Sequence, residues 1–194
     1  MNNNKYKSKK KYDGFSFLEA IISVFILAVG IVAVLPLLTT GIRDSSSSRD
    51  QMIAVFLAQE GVELVENFRD NNWAEDRDAF DGERFPANSK ENCAVSWDSS
   101  DLRDCNAGKS FILYMDGNGY YTYSGASETR FRRKVIIEYF DASGGSVNMN
   151  LADWAKITSV ATWGGSIPDD PISVSNCSTY SKCVFAEAIL TKWR

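Results

Sequence analysis

Apolar and polar positions divide the chain into three regimes. Residues 20–38 contain no ionisable side chain. Nineteen helical residues span about 28 Å, close to the hydrocarbon thickness of a bilayer, so this run predicts one membrane-crossing helix. Two helix-weakening residues, Gly30 and Pro36, lie inside it. Pro36 has no N–H for the carbonyl of Val32, and its ring crowds that turn. One carboxylate, Glu19, stands at the lip of the apolar run. An acid there must reach the headgroup region or find a cationic partner.

The second regime follows a run of serines at residues 45–48. Ile53, Leu57, Gly61, Leu64 and Phe68 recur in steps of four, four, three and four, with Val65 widening the stripe. That is one helical face, opposite Gln59, Glu63, Glu66 and Asp70. Glu60, Glu63 and Glu66 are expected to be hydrated on the exposed side. The serines predict a soft point within one long helix, and Asn71 and Asn72, which tolerate left-handed backbone, predict its end. Gly61 lacks a side chain and would let a sheet or helix come close.

In the third regime the apolar period shortens. Residues 73–105 are polar and irregular, with Gly82 and Pro86, and read as a loop between helix and sheet. Strand patterns then appear at residues 111–115 and 120–123, flanking the turn sequence DGNG, and at 133–140, 155–163 and 184–193. The last alternates Val184, Ala186, Ala188 and Leu190 as a strand does, although its composition would also suit a helix. One long helix followed by antiparallel strands predicts an α+β fold in which a sheet covers the helix stripe. The boundaries read as 1–14 a basic leader, 15–40 the membrane half of the helix, 41–72 its amphipathic half, and 73–194 a β-rich globular domain.

Charge adds direction. Lys5, Lys7, Lys9, Lys10 and Lys11 face Asp13 alone within the first fourteen residues. Without this segment the chain holds sixteen basic and twenty-four acidic residues, a formal charge of −8. Such a body offers phosphate backbones no broad basic surface, so nucleic-acid binding is not predicted. Arg130, Arg132, Arg133 and Lys134 form a local basic cluster, read as a solvated strand face. The lysine-rich leader is expected to stay cytoplasmic and the C-terminal body to cross, giving a single-pass protein of the cytoplasmic membrane. A cleavable secretory signal fits less well, because the apolar run is long and no small-residue cleavage site follows it.

The chain has no histidine, which removes His-based catalytic triads and the usual zinc sets. No nucleophile, metal or cofactor motif is found, and no enzyme activity or cofactor is predicted. DGNG lacks the later acids of a calcium loop, while Asp141, Asp169 and Asp170 leave a surface calcium site open but unsupported. Cys93, Cys105, Cys177 and Cys183 all follow the apolar run. An even number in an exported body points to disulfides, with free buried thiols as the alternative. Three pairings are possible, and proximity favours Cys93 with Cys105 and Cys177 with Cys183.

The order basic leader, Gly14, Phe15, Glu19, apolar helix resembles the N-terminus of type IV prepilins and pseudopilins. The resemblance implies cleavage by a prepilin peptidase between Gly14 and Phe15, followed by N-methylation of Phe15. It also implies that Glu19 neutralises the new cationic terminus of a neighbouring subunit during filament growth. Pro36 then sits where filaments of this kind often unwind the helix, against the alternative of an ordinary packing kink. More loosely, the strand region is similar to the globular domain of minor pilins. The expected partners are the peptidase, other pilin or pseudopilin subunits and an inner-membrane assembly platform, in a type IV pilus or a type II secretion-like pseudopilus. The other reading is a membrane-anchored binding module or adhesin that never polymerises.

Overall fold

The structure is a computed structural model and describes residues 14, 16–100, 102, 105, 111–178 and 181–193. Helix α1 runs unbroken from Phe17 to Ala74, through Pro36 and through the four serines. Six strands follow: β1 (Lys90–Cys93), β2 (Ile112–Met115), β3 (Tyr121–Thr122), β4 (Ser127–Phe140), β5 (Trp154–Trp163) and β6 (Cys183–Thr191). One turn of 3-10 helix, Met149–Leu151, precedes β5. The chain is α+β, and it divides into two compact units, Met1–Ser46 and Ser47–Arg194, with the boundary inside the serine run.

Within the second unit every strand pair is antiparallel, in the order β3-β2-β4-β5-β6. β4 is the spine. β5 pairs with it from Phe131 to Phe140, while β2 and β1 share its other edge end to end. Val135, Ile137, Tyr139, Ala155, Ile157 and Leu190 pack with Val62 and Val65 of α1. Nearer the start of β4, Phe131, Leu113, Ala161 and Trp163 pack with Ala54, Leu57 and Ala58. The opposite face is also covered: Ile136 and Val160 pack with Cys183 at the start of β6 and with Ile167, Ile172 and Cys177 of the loop before it. β5 is accordingly buried at every residue from Ile157 to Trp163, on both faces, which a one-sided sheet would not show.

Four expectations need correcting. The buried side of α1 is Ala54, Leu57, Ala58, Gly61, Val62 and Val65, about one position round from the expected stripe. Ile53, Leu64 and Phe68 are only half-buried. Small residues decide this, because they let the helix backbone approach the sheet. The helix ends at Ala74 rather than at the two asparagines. Asp76 takes the left-handed conformation, φ 56°, and the N–H groups of Asp76 and Arg77 return to the carbonyls of Trp73 and Asn72 at 3.2 and 2.8 Å. That is a Schellman end. Asn72 is instead fully buried, donating to the Ala79 carbonyl at 3.1 Å and accepting from Arg84 at 3.0 Å.

The supposed loop 73–105 contains β1, whose sequence KENC is polar because the strand bonds through its backbone and buries only Cys93. β4 begins at Ser127, six residues before the expected start, since its first part pairs antiparallel with the edge of β2 that β3 leaves open. The last strand is a strand and not a helix, and DGNG does turn the chain between β2 and β3. There Asp116 accepts from the N–H groups of Asn118 and Tyr120 at 2.9 and 2.8 Å, and Gly119 supplies φ +88°.

Gly61 marks the closest approach of helix to sheet. A Cβ placed there would stand 2.2 Å from Ser159 Oγ and 3.2 Å from a Val135 methyl. Gly61→Ala is therefore expected to destabilise the unit by about 1–3 kcal/mol through overpacking, read as a lowered midpoint in urea unfolding of the full chain in detergent.

Candidate functional site

The N-terminal part of α1 carries most of the residues singled out by sequence. Gly14 is exposed, with no heavy atom within 4 Å of the position its Cβ would occupy. Phe15 and the leader lysines lie outside the described residues. The first intrahelical bond runs from Ala20 N–H to the Ser16 carbonyl at 3.1 Å, so Glu19 falls in the first turn of α1. A carboxylate there faces the unpaired N–H groups and the positive end of the helix dipole. Among the described residues no ion pair engages it.

From residue 20 to residue 38 the helix carries no charge and is exposed throughout. Its most apolar eighteen-residue window has a mean hydropathy of 3.0, and none of it is buried. α1 is thus long and apolar enough to cross a membrane. Gly30 meets nothing within 4 Å and leaves a notch beside Ile26, Leu27, Ile31, Val34 and Leu35. Pro36 leaves the Val32 carbonyl without its helical donor, and one turn on Thr39 Oγ1 donates to the carbonyls of Leu35 and Pro36 at 3.2 and 2.9 Å. Thr40 Oγ1 donates to those of Pro36 and Leu37 at 3.0 and 3.1 Å. These hydroxyls hide their own polar groups against the helix backbone, as an apolar medium requires.

In the second unit the structure overturns two readings. Of the basic cluster, Arg130 is exposed, but Arg133 is fully buried and Lys134 nearly so. Arg133 alternates in phase with Phe131 and Val135 and therefore faces α1. Its guanidinium donates to Glu60 Oε2 at 2.8 Å, to the Leu57 carbonyl at 3.2 Å, to the Val95 carbonyl at 2.5 Å and to Tyr123 Oη at 3.3 Å. Tyr123 in turn donates to the Arg133 carbonyl at 2.8 Å. Burial opposes the charge, but Tyr123 and Glu60 outweigh it and hold the guanidinium above its ordinary pKa. Burial also pushes the Tyr123 phenol up. Glu60, expected to be a hydrated surface acid, is the half-exposed partner of this cation. The phase of Arg133 with its apolar neighbours was the signal in the sequence that marked it as inward.

Lys134 points to the other face. It pairs with Asp170 at 3.1 Å and donates to the Pro168 carbonyl at 3.4 Å, while Lys90 reaches the same Asp170 at 3.5 Å and Glu138 at 2.9 Å. Asp141 is occupied by its own turn, accepting from Ser143 and Gly145 N–H at 2.9 Å each. These bonds, led by the Ser143 hydroxyl, hold its carboxyl below the usual range. The three acids considered for calcium are therefore not brought together, and among the described residues no cluster of three metal-ligating side chains occurs.

Both cysteine pairings favoured by proximity are present. Cys93 is bonded to Cys105 and Cys177 to Cys183, with Cα atoms 4.1 and 4.9 Å apart. The first fastens β1 to the segment beyond it, and the second fastens the outer loop to the start of β6. No protein-family profile, curated protein or solved structure matches the chain.

Arg133→Met is expected to strip Glu60 of its cationic partner and the Val95 carbonyl of its guanidinium donor, and to destabilise the second unit by about 3 kcal/mol or more. Urea unfolding by circular dichroism, with Arg130→Met as the exposed control near zero, measures the difference.

Proposed function

We propose that this protein is a minor pilin-like subunit, cut after Gly14, N-methylated on Phe15, and assembled through its apolar helix into a type IV pilus or a type II secretion-like pseudopilus. The observation that carries the reading is the arrangement around Glu19. An accessible glycine precedes a helix whose first turn bears one acid, and the acid is followed by a wholly exposed apolar span. Proteolysis at Gly14 would create an ammonium group at Phe15, and methylation leaves its charge in place. A carboxylate in low dielectric gains most from such a partner when docking of a second subunit supplies it. The desolvation of both groups offsets much of that gain, so the pair specifies axial register more than it adds stability.

The remaining features support an exported head on this anchor. Two disulfides fit an oxidising compartment, and the positive-inside bias keeps the lysine-rich leader cytoplasmic. An α+β unit in which sheet covers helix is the arrangement a pilin head has. The subunit acts by assembly and carries no catalytic role. Its partners are the processing peptidase, other subunits of the filament and the platform in the inner membrane. A membrane anchor for a binding module remains the other reading, and processing separates the two.

Intact mass of the protein isolated from its host is expected to show loss of residues 1–14 and gain of one methyl group. A chain that keeps its leader would overturn the proposal in favour of the anchor. Glu19→Ala is expected to be processed like the wild type yet to be absent, or reduced by about tenfold or more, in sheared filament fractions quantified by immunoblot.

A further inference from the structure

A concavity of about 520 Å³ in the Ser47–Arg194 unit is lined by Glu60, Trp97, Gly119, Tyr120 and Tyr121. Three of its five residues are aromatic, and two of them are conspicuously unburied: Trp97 is 51% exposed and Tyr120 57%. An indole and a phenol left half in water contribute little to the core, so their placement calls for another use. Their ring centroids lie 5.4 Å apart with planes inclined at 51°. They form an angled wall rather than the flat platform that would stack on a sugar ring.

The other walls are fixed in advance. Tyr121 stands edge-on to Phe131, centroids 5.8 Å apart and planes at 86°. Glu60 is anchored through Oε2 by buried Arg133, and its other oxygen accepts no bond from a described residue. Gly119 has positive φ and no side chain to fill the space. Glu60 is the one charged residue of the lining, while Arg49 and Asp50, of opposite sign, both act on the Tyr121 wall. Arg133 is sealed beneath, Asp98 follows Trp97 in sequence, and Asp116 accepts from the Tyr120 N–H.

Aromatic faces present negative potential, and a carboxylate beside them completes a site for an organic cation. We infer that this concavity is a binding site for an alkylammonium group, either the primary ammonium of a lysine-like chain or a quaternary ammonium. Recognition combines the faces of Trp97, Tyr120 and Tyr121 with the free oxygen of Glu60. Because its walls are held by the Arg133 network and by Phe131, little ordering is needed on binding. The site does not depend on the filament reading, since all of it belongs to the folded unit.

The test is an NMR titration of the full chain in a choline-free polyoxyethylene detergent, following Trp indole resonances. Probes are n-butylammonium, choline, the neutral choline analogue 3,3-dimethylbutan-1-ol, and glucose. A saturable shift of the Trp97 resonance with one or both cations, and none with the neutral analogue, is expected. The tighter cation names the source of the ammonium. Trp97→Ala and Tyr120→Ala, both at exposed positions, are expected to keep the dispersed spectrum of the fold. Tyr120→Ala, read on Trp97, is expected to weaken cation binding by about tenfold. Equal shifts from the neutral analogue, tighter binding of glucose, or unchanged affinity in a folded Tyr120→Ala chain would each overturn the inference.

Discussion

One buried cation organises the folded unit. Arg133 has no exposed surface, and its donors reach the carbonyl of Leu57, the carboxylate of Glu60, the carbonyl of Val95 and the hydroxyl of Tyr123. Those acceptors belong to α1, to the stretch after β1 and to the stretch after β3. A guanidinium suits this position because it is planar, permanently charged and carries five donors in fixed directions. A charge so enclosed is tolerated only while every acceptor is in place, which makes it a geometric check on the whole assembly of helix, strands and loops. The apolar clusters on either side supply the driving force; Arg133 decides which of the ways of packing them is allowed.

The arrangement also explains why both faces of β4 could be covered. Successive residues of a strand point to opposite sides, so Arg133 meets the helix while Lys134 meets the outer loop. Each basic side chain finds acids or carbonyls on its own side: Glu60 and backbone oxygens in one case, Asp170 and Pro168 in the other. Lys90 and Glu138 extend the second set across to β1. Two adjacent basic residues in the sequence thus serve two unrelated layers.

Much of this architecture was legible from residue order alone. The uncharged run before Leu38 marked a helix long enough for a bilayer, the DGNG turn marked a hairpin, and short spacing marked both disulfides. These signals are local, so no knowledge of distant contacts was required. What escaped was decided at a distance. β1 is three polar residues and a cysteine held by backbone bonds to β4, which leaves no alternating hydrophobic trace. The exact face of α1 was set by how close Ala54, Ala58 and Gly61 let the sheet come, and larger neighbours such as Leu64 drew the expected stripe aside. Arg133 and Lys134 read as surface because basic runs usually are, although Arg133 keeps the alternation of Phe131 and Val135. The aromatic concavity gathers residues from α1, from the stretch after β1 and from the hairpin tip, and no spacing rule joins these.

The disulfide between Cys177 and Cys183 ties the outer loop down where β6 starts. That loop roofs Ile136, Val160 and Lys134 but none of the residues beneath α1, where Cys93–Cys105 lies, so each side of the sheet has its own disulfide. Losing the Cys177–Cys183 bond alone would loosen the roof while leaving the helix side fastened by Cys93–Cys105 and by its buried cation. The molecule would then show a fresh apolar strip on one surface while its far-ultraviolet signature stayed almost unchanged.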